Sequence, residues 1–159
     1  MRGKIAVPRL EASASFRIEG LQELDKALSQ LEPRLRNKHM TRALRAGAKI
    51  IQKDMKARAP VDTGNLKRWI RVGARLTPRQ KRNSRREIQG AAKFIYAGAV
   101  RGESRDDGAF YAHFVEFGTA TQPPQPFGRP AVDSNRLSVL NKIKQVLATG
   151  LKQTAREVR

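Results

Sequence analysis

The tripeptide Asp62-Thr63-Gly64 is the feature of this sequence that most directly suggests catalysis. In aspartic proteases the same three residues carry a catalytic aspartate, and two such carboxylates held close together share a proton. This chain has one copy of the triplet, so a protease would require a dimer that brings two copies together. The flanking sequence has to decide between that site and a turn.

The residues around the triplet favour a turn. Residues 59–61, Ala-Pro-Val, end a predicted helix, whereas the protease triplet leaves an apolar strand. Residues 65–68 are mostly polar and cationic, and no second apolar strand ending in glycine is evident. In a turn, Asp62 or Thr63 accepts backbone N–H bonds and Gly64 adopts a positive φ. We therefore predict a turn; a dimeric aspartic protease, which pepstatin would inhibit, is a hypothesis that rests on the triplet alone.

The remaining residue types argue against other catalytic chemistry. The chain has no cysteine, which excludes thiolate chemistry, disulfides and Cys-based metal sites, and it has only two histidines, His39 and His113. It also lacks a phosphate-binding loop of the GxxxxGK type. His113 is predicted to be a packing or surface residue. Glu116, with an apolar neighbour on each side, is predicted to form an ion pair or to bond to backbone. We predict no catalytic residue, no metal site and no cofactor.

Net charge is the strongest compositional signal. Lys and Arg number 33 against 14 Asp and Glu, a formal charge of +19. Repulsion at this charge disfavours a lone compact monomer and favours polyanionic or acidic partners, either nucleic acid or acidic protein surfaces. No apolar run reaches the ~20 residues of a membrane span, and the N-terminus lacks the apolar segment of a signal peptide. We expect a soluble protein, made in the cytoplasm, with no membrane partner.

A long amphipathic helix is predicted from about 34 to 58. Its apolar positions recur every three or four residues at Met40, Leu44, Gly47, Ile51 and Met55. Basic residues with the same spacing lie on the opposite side and span about 27 Å at ~1.5 Å per residue. They are Lys38, Arg42, Arg45, Lys49, Lys53 and Lys56, called the cationic face below. This face is either an ordinary solvated surface or a binding surface.

Short strands and helices are predicted around that helix. Leucines at helical spacing predict a short helix over 21–31. Residues 16–19 and 92–100 are predicted strands, and 66–72 a helical turn that runs into a strand.

The C-terminal part is predicted to close the fold with a second long helix. Residues 109–117 form either a strand or a short helix, and three prolines in four residues make 118–130 an extended Pro-rich loop. Asp133 or Ser134 caps the final helix, and Gly150 is a candidate helix breaker. The apolar stripe of this helix consists of Leu137, Leu140, Ile143, Leu147 and Leu151.

This order of elements predicts a single α+β domain over 16–159, with a small antiparallel sheet packed against two long helices. Residues 1–15 are predicted to be a flexible N-terminal arm. Residues 75–90 are predicted to be an extended basic loop, because they are too polar to pack. The cations of this loop are Arg79, Lys81, Arg82, Arg85 and Arg86.

Two stretches together resemble a phage protein family. Residues 59–66, Ala-Pro-Val-Asp-Thr-Gly-Asn-Leu, are followed about 45 residues later by 111–119, Tyr-Ala-His-Phe-Val-Glu-Phe-Gly-Thr. In this order, and with Pro126-Phe127 and Pro130-Ala131 before a helix, they resemble the tail-component family of long-tailed bacteriophages that is named after gene product ten of phage HK-ninety-seven. The resemblance spans about residues 16–150, and the basic insertion at 75–90 and the high charge depart from it.

The resemblance implies a non-enzymatic virion protein of the neck, where the DNA-filled head joins the tail. Such proteins form homo-oligomeric rings, often six- or twelve-fold, around the DNA channel and contact adjacent connector and tail proteins. The implied location is the virion, after assembly in the host cytoplasm.

The Pro-rich loop and its flanks are the predicted contact between subunits, because exposed aromatic and proline surface is typical of interfaces. The residues predicted to form or support this contact are Phe114, Glu116, Phe117, Pro123, Pro124, Pro126 and Phe127. For Phe114 and Phe117 the favoured alternative is that they fill the core of their own subunit.

The cationic residues have two candidate partners. In a ring, the cationic face would hold DNA through its phosphates without reading sequence, or it would dock on acidic rims of neighbouring rings. Docking is favoured for the basic loop at 75–90, because a DNA channel that binds too tightly would oppose ejection. The alternative function is a sequence-nonspecific nucleic-acid-binding protein, although the chain has no RNP-type motif and no recognisable recognition helix.

Overall fold

A computed structural model describes residues 21–62, 64–74, 95–100 and 109–157. The elements in chain order are α1 (Leu21–Ser29), α2 (Pro33–Arg58), α3 (Asn65–Trp69), β1 (Ile70–Gly73), β2 (Tyr96–Ala99), α4 (Ala112–Phe117) and α5 (Gly128–Glu157). Long helices and a small antiparallel sheet confirm the predicted α+β class. The predicted N-terminal arm, the strand at 16–19 and the basic loop at 75–90 lie outside the described residues.

The two long helices, α2 and α5, pack against each other in opposite directions. Nε2 of His39 lies 2.9 Å from the hydroxyl of Thr154 at one end, and the amide of Asn135 donates to Asp54 at 2.7 Å at the other. Between these pairs Gly47 lets the helices approach closely. A Cβ at Gly47 would lie 2.9 Å from Cγ1 of Ile143, closer than side-chain atoms normally pack. The pair forms the rigid frame of the domain.

The sheet is attached to α2 by a side chain. β1 and β2 pair antiparallel, with Ile70 opposite Ala99 and Gly73 opposite Tyr96. Nε2 of Gln52 on α2 donates to the carbonyl oxygen of Ile70 at 2.8 Å, and the Ile70 side chain is fully buried. The sheet therefore has a fixed position against the middle of the domain.

Two apolar clusters hold these layers together. The first lies where α2, the sheet, α4 and the start of α5 meet, and its buried members are Met55, Ala59, Leu66, Ile70, Ala109, Phe127 and Ala131. The second joins α1 to the two long helices through Leu28, Ala43 and Leu147. The buried side of α2 consists of His39, Ala43, Gly47, Ala48 and Met55, so in its first half the buried positions His39 and Ala43 lie one position before the predicted Met40 and Leu44.

The structure corrects or settles four predictions about where elements begin and end. The final helix begins at Gly128, so neither Asp133 nor Ser134 caps it, and Pro130 is accommodated in its first turn. Gly150 does not break that helix; it is buried against His39, where an added Cβ would collide with the imidazole ring. Residues 112–117 form a helix, which settles the alternative left open for 109–117. Of the predicted strand at 92–100, residues 96–99 are a strand and residues 92–94 lie outside the described residues.

Candidate functional site

Asp62 and Gly64, the described residues of the triplet, lie in a bend between α2 and α3, in agreement with the predicted turn; this segment is called the triplet turn below. Pro60 follows the end of α2, and Gly64 has a φ of +76°, a conformation that glycine adopts without strain. The carbonyl oxygen of Gly64 then accepts the backbone N–H of Arg68 at 3.2 Å, which starts α3. Thr63 lies outside the described residues, and the predicted acceptor role of Asp62 is not seen in the described part of the chain. Leu66 returns the chain to the core, where it is buried.

Glu116 on α4 bonds to backbone, one of the two roles predicted for it. Its Oε2 accepts the N–H groups of Phe127 at 2.9 Å and Gly128 at 2.8 Å, and its Oε1 accepts that of Arg129 at 2.9 Å. Burial by itself raises the pKa of Glu116, but these three N–H groups and the Arg129 charge outweigh burial and hold that pKa below its ordinary value. The carboxylate of α4 therefore serves as the acceptor for the N–H groups at the start of α5.

The phenylalanine side chains of α4 and of the turn before it lie on the surface, whereas Tyr111 packs against the first core cluster. Phe110, Phe114 and Phe117 keep 49%, 44% and 65% of their surface exposed. The alternative that Phe114 and Phe117 fill the subunit's own core is therefore wrong. His113 is also exposed, as its predicted surface role allows, and stacks on Phe114 with ring centroids 3.8 Å apart. The three phenylalanines are spaced by four and three residues, and this helical spacing was the sequence signal that they share one side.

A groove of about 750 Å³ lies between the triplet turn, α4 and the Pro-rich loop. The two stretches that carry the family resemblance, 59–66 and 111–119, thus form opposite walls of one groove. Among the described residues that line the groove, Asp62 is the only charged one, and no described Lys or Arg lines it, although the chain has 33 Lys and Arg in all. The apolar and aromatic lining residues are Pro60, Val61, Leu66, Tyr111, Phe114, Val115 and Pro123.

The Pro-rich loop is held against α4 by its backbone. The N–H of Gln125 donates to the carbonyl oxygen of Val115 at 2.8 Å, and that of Thr119 to Gln122 at 2.9 Å. Gly118 turns the chain with a φ of +74°, and a Cβ there would lie 2.9 Å from the oxygen of Gln122. The loop thus has a defined shape that presents Pro123, Pro124 and Pro126 to solvent.

The predicted contact residues divide by position. Phe114, Phe117 and the three prolines are exposed, whereas Phe127 is 3% exposed and belongs to the first core cluster. Phe127 and Glu116 can therefore support this surface but do not form it. Val61, 64% exposed, and Phe110 extend the same surface and were not predicted.

The cationic face lies where the helical spacing placed it. Five of its six residues are exposed and Lys56 is half-buried. The two ion pairs described, Asp54–Arg58 and Asp133–Arg136, involve none of the six, so no described carboxylate neutralises the face. Arg34 is exposed on the same side of α2 and extends the face by one turn, although the sequence pattern was begun at Lys38. The predicted contacts Arg79, Lys81, Arg82, Arg85 and Arg86 lie outside the described residues.

The described segments contain neither a candidate metal site nor a candidate membrane span. No cluster of three or more His, Asp or Glu residues there could hold a metal ion. No helix in the same segments is long and apolar enough to cross a membrane.

Comparison with known proteins identifies the family. None of the curated proteins and none of the solved structures matches the chain. Residues 22–118 match the HK97-gp10-like family, whose description is a bacteriophage tail component. This match is shorter than the predicted span of 16–150; it includes α2, the triplet turn, the sheet and α4 and ends at Gly118, the first residue of the Pro-rich loop. Because it covers more than half of the sequence, the chain belongs to the HK97-gp10-like family of bacteriophage tail components.

Proposed function

We propose that this structural tail component forms a homo-oligomeric ring at the head–tail junction of a long-tailed phage, around the channel through which DNA passes. Family membership gives the coarser role, a structural part of the phage tail and hence of the virion, and favours that role over catalysis. The ring, six- or twelve-fold, would assemble in the host cytoplasm and contact adjacent connector and tail proteins.

The exposed aromatic and proline surface is the observation that carries the proposal. Phe110, Phe114 and Phe117 lie beside the exposed prolines of a loop whose shape is fixed by backbone hydrogen bonds. Contiguous apolar surface of this kind marks contact sites in soluble proteins, and aromatic side chains are enriched at the centre of such contacts. A rigid loop loses little conformational freedom when it binds, which favours assembly.

The cationic face supports a position beside DNA. It is a straight row on a helix whose other sides pack against α5 and the sheet, so the charges are held on a rigid support. A ring repeats that row in each subunit, and a cationic lumen attracts the phosphate backbone without reading sequence. The basic residues at 75–90 are proposed to dock on acidic surfaces of neighbouring neck proteins.

Light scattering after size exclusion, with negative-stain microscopy, tests the ring. The purified chain is expected to elute at a mass of six or twelve subunits and to show annular particles. Replacing Pro123 and Pro124 by Ser is expected to leave the circular dichroism spectrum unchanged and to lower the ring mass. The matched control replaces the exposed Lys152 and Gln153 by Ser, far along α5. A ring mass unaffected by the proline variant would refute the proposed contact.

A sequence-nonspecific nucleic-acid-binding protein is the second candidate, because the cationic face has no described carboxylate partner. Such a protein would bind duplex as a monomer or dimer. A monomer that stays monomeric with its neck partners and still binds duplex tightly would favour this candidate over the ring.

A further inference from the structure

We propose that the groove between the triplet turn and α4 receives the N-terminal segment, residues 1–15, of a neighbouring copy of this chain. The inference rests on the ring proposed above and specifies how its subunits hold one another. The groove shares Pro123 and Phe114 with the exposed surface proposed above as the ring contact, and its other described lining residues belong to the triplet turn, α4 and the Pro-rich loop.

The walls of the groove suit an extended apolar peptide. Val61, Tyr111, Phe114 and Pro123 supply apolar surface, and the exposed Val61 and Phe114 are not covered by the described part of their own subunit. The exposed amide side chains of Gln122 and Gln125 stand among them and can bond to a peptide backbone. Apolar pockets alternating with polar groups are the usual arrangement for binding an extended segment.

Charge narrows the choice of occupant. Asp62 is the only charged residue among the described lining, and it places one negative charge at the groove of a strongly cationic chain, so a basic segment is preferred to an acidic one. A peptide with an apolar centre and flanking cations would contact the apolar lining residues and would also bring a positive charge to Asp62.

Residues 1–15 have that chemistry. Ile5-Ala6-Val7-Pro8 is an apolar run with Arg2 and Lys4 before it and Arg9 after it. Val and Ile favour extended backbone, and the residue before a proline is restricted to it. The segment precedes α1, and 15 extended residues span roughly 50 Å. That length is enough to pass from one subunit to the next.

Cysteine cross-linking tests the proposal cleanly, because the chain has no cysteine of its own. Two full-length variants are made, Val7→Cys in the segment and Val61→Cys on the exposed wall, and mixed before mild oxidation. The expected product is a disulfide-linked heterodimer of the two variants. Gln153→Cys replaces Val61→Cys in the control, since Gln153 is exposed at the far end of α5, and it is expected to give no such product.

A second substitution tests whether the groove itself does the binding. Phe114→Asp in the Val61→Cys chain is expected to abolish the cross-link, whereas Leu137→Asp, which places the same charge at a 60% exposed apolar position on α5, is expected to leave it unchanged. Circular dichroism checks that both chains are folded, and light scattering checks that both keep the oligomeric mass of the parent chain, since Phe114 also belongs to the proposed ring contact.

The outcomes separate this inference from the ring. Rings of normal mass with no Val7–Val61 cross-link would overturn the inference and leave the ring standing. A cross-link that forms only within one chain, in the Val7→Cys/Val61→Cys double variant at high dilution, would overturn the exchange between copies. A heterodimer cross-link in a chain that forms dimers and no rings would support the segment's binding while refuting the ring.

Discussion

The carboxylate of Glu116 accepts the backbone N–H of Gly128 at 2.8 Å, so α5 begins against the side of α4. The same carboxylate accepts the N–H groups of Phe127 and Arg129. The first N–H groups of a helix have no partner within the helix, and a negative charge there also interacts favourably with the helix dipole. One side chain thereby links the aromatic surface to the longest helix of the domain.

Removing this carboxylate is expected to destabilise the fold. Glu116→Ala leaves three N–H groups without their charged acceptor and should lower the free energy of unfolding by about 1–3 kcal/mol. Urea denaturation followed by circular dichroism measures it. Asp133→Asn is the matched control, since it removes a carboxylate from an exposed pair with Arg136 and should change stability by less than about 1 kcal/mol. Equal effects of the two substitutions would contradict the role of Glu116.

The pH dependence of stability should report the same carboxylate. Because the pKa of Glu116 is lower in the folded chain than the ordinary value of 4.5, its stabilisation is complete above that ordinary value and is lost as the pH falls through the folded pKa. The melting temperatures of the native chain and of Glu116→Gln, measured from neutral to acidic pH, should therefore differ most near neutrality and converge in acid. A difference that widens as the pH falls would show that the sign is wrong.

The start of α5 also shows what sequence could not predict. Periodicity and helix-ending residues predicted α2, the triplet turn and the passage from α3 to β1, because those signals lie within a few residues of the structure they specify. The acceptor for the first N–H groups of α5 lies on another helix, 12 residues before Gly128, so the search for a local cap selected Asp133 or Ser134 instead. Only the folded chain brings Glu116 to that position.

Burial of the aromatic residues could not be inferred for a related reason. Phe114, Phe117 and Phe127 have the same side chain, yet only Phe127 lies in the core cluster. Phe114 and Phe117 lie on an exposed side of α4, whereas Phe127 directly precedes α5 and lies in one cluster with Met55, Leu66 and Ile70, and those contacts join residues far apart in sequence. The helical spacing of Phe110, Phe114 and Phe117 shows that they share a side, but not whether that side is buried.

The close packing of α2 against α5 predicts that a larger residue at Gly47 lowers stability. Gly47→Ala places a Cβ about 3 Å from side-chain atoms of Ile143 and Val139, and overpacking of this kind costs about 1–3 kcal/mol against a gain of ~1 kcal/mol in helix propensity. We expect a net loss of about 1 kcal/mol by chemical denaturation. Gly98→Ala, where no atom lies within 4 Å of the added Cβ, is the control and should be neutral or slightly stabilising. A Gly47→Ala chain as stable as the control would argue against the close approach.

The buried pair of His39, near the start of α2, and Thr154, near the end of α5, predicts a second effect on stability. The hydroxyl of Thr154 lies 2.9 Å from Nε2 of His39 and donates to the carbonyl oxygen of Gly150 at 3.2 Å. Thr154→Val keeps the shape but leaves a buried ring nitrogen without its partner, and should cost about 1–3 kcal/mol. Thr149→Val removes an exposed hydroxyl bonded to Gln145 and should cost less than about 0.5 kcal/mol. Urea denaturation followed by circular dichroism measures the free energy of unfolding of both variants.

The cationic face yields the prediction that bears most directly on function. If it contacts DNA phosphates, affinity for a generic duplex should fall steeply between about 50 and 200 mM salt, since each phosphate contact releases counterions.

Replacing Arg45, Lys49 and Lys53 by Gln should weaken binding and reduce the slope of log affinity against log salt by about one per lost contact. Gln at Lys142, Lys152 and Arg156, exposed cations of α5, removes the same charge elsewhere and should change the slope less. Fluorescence anisotropy with a labelled duplex measures both. A flat salt response would rule out the phosphate contact, and equal losses in the two triple variants would show that net charge, rather than this face, governs binding.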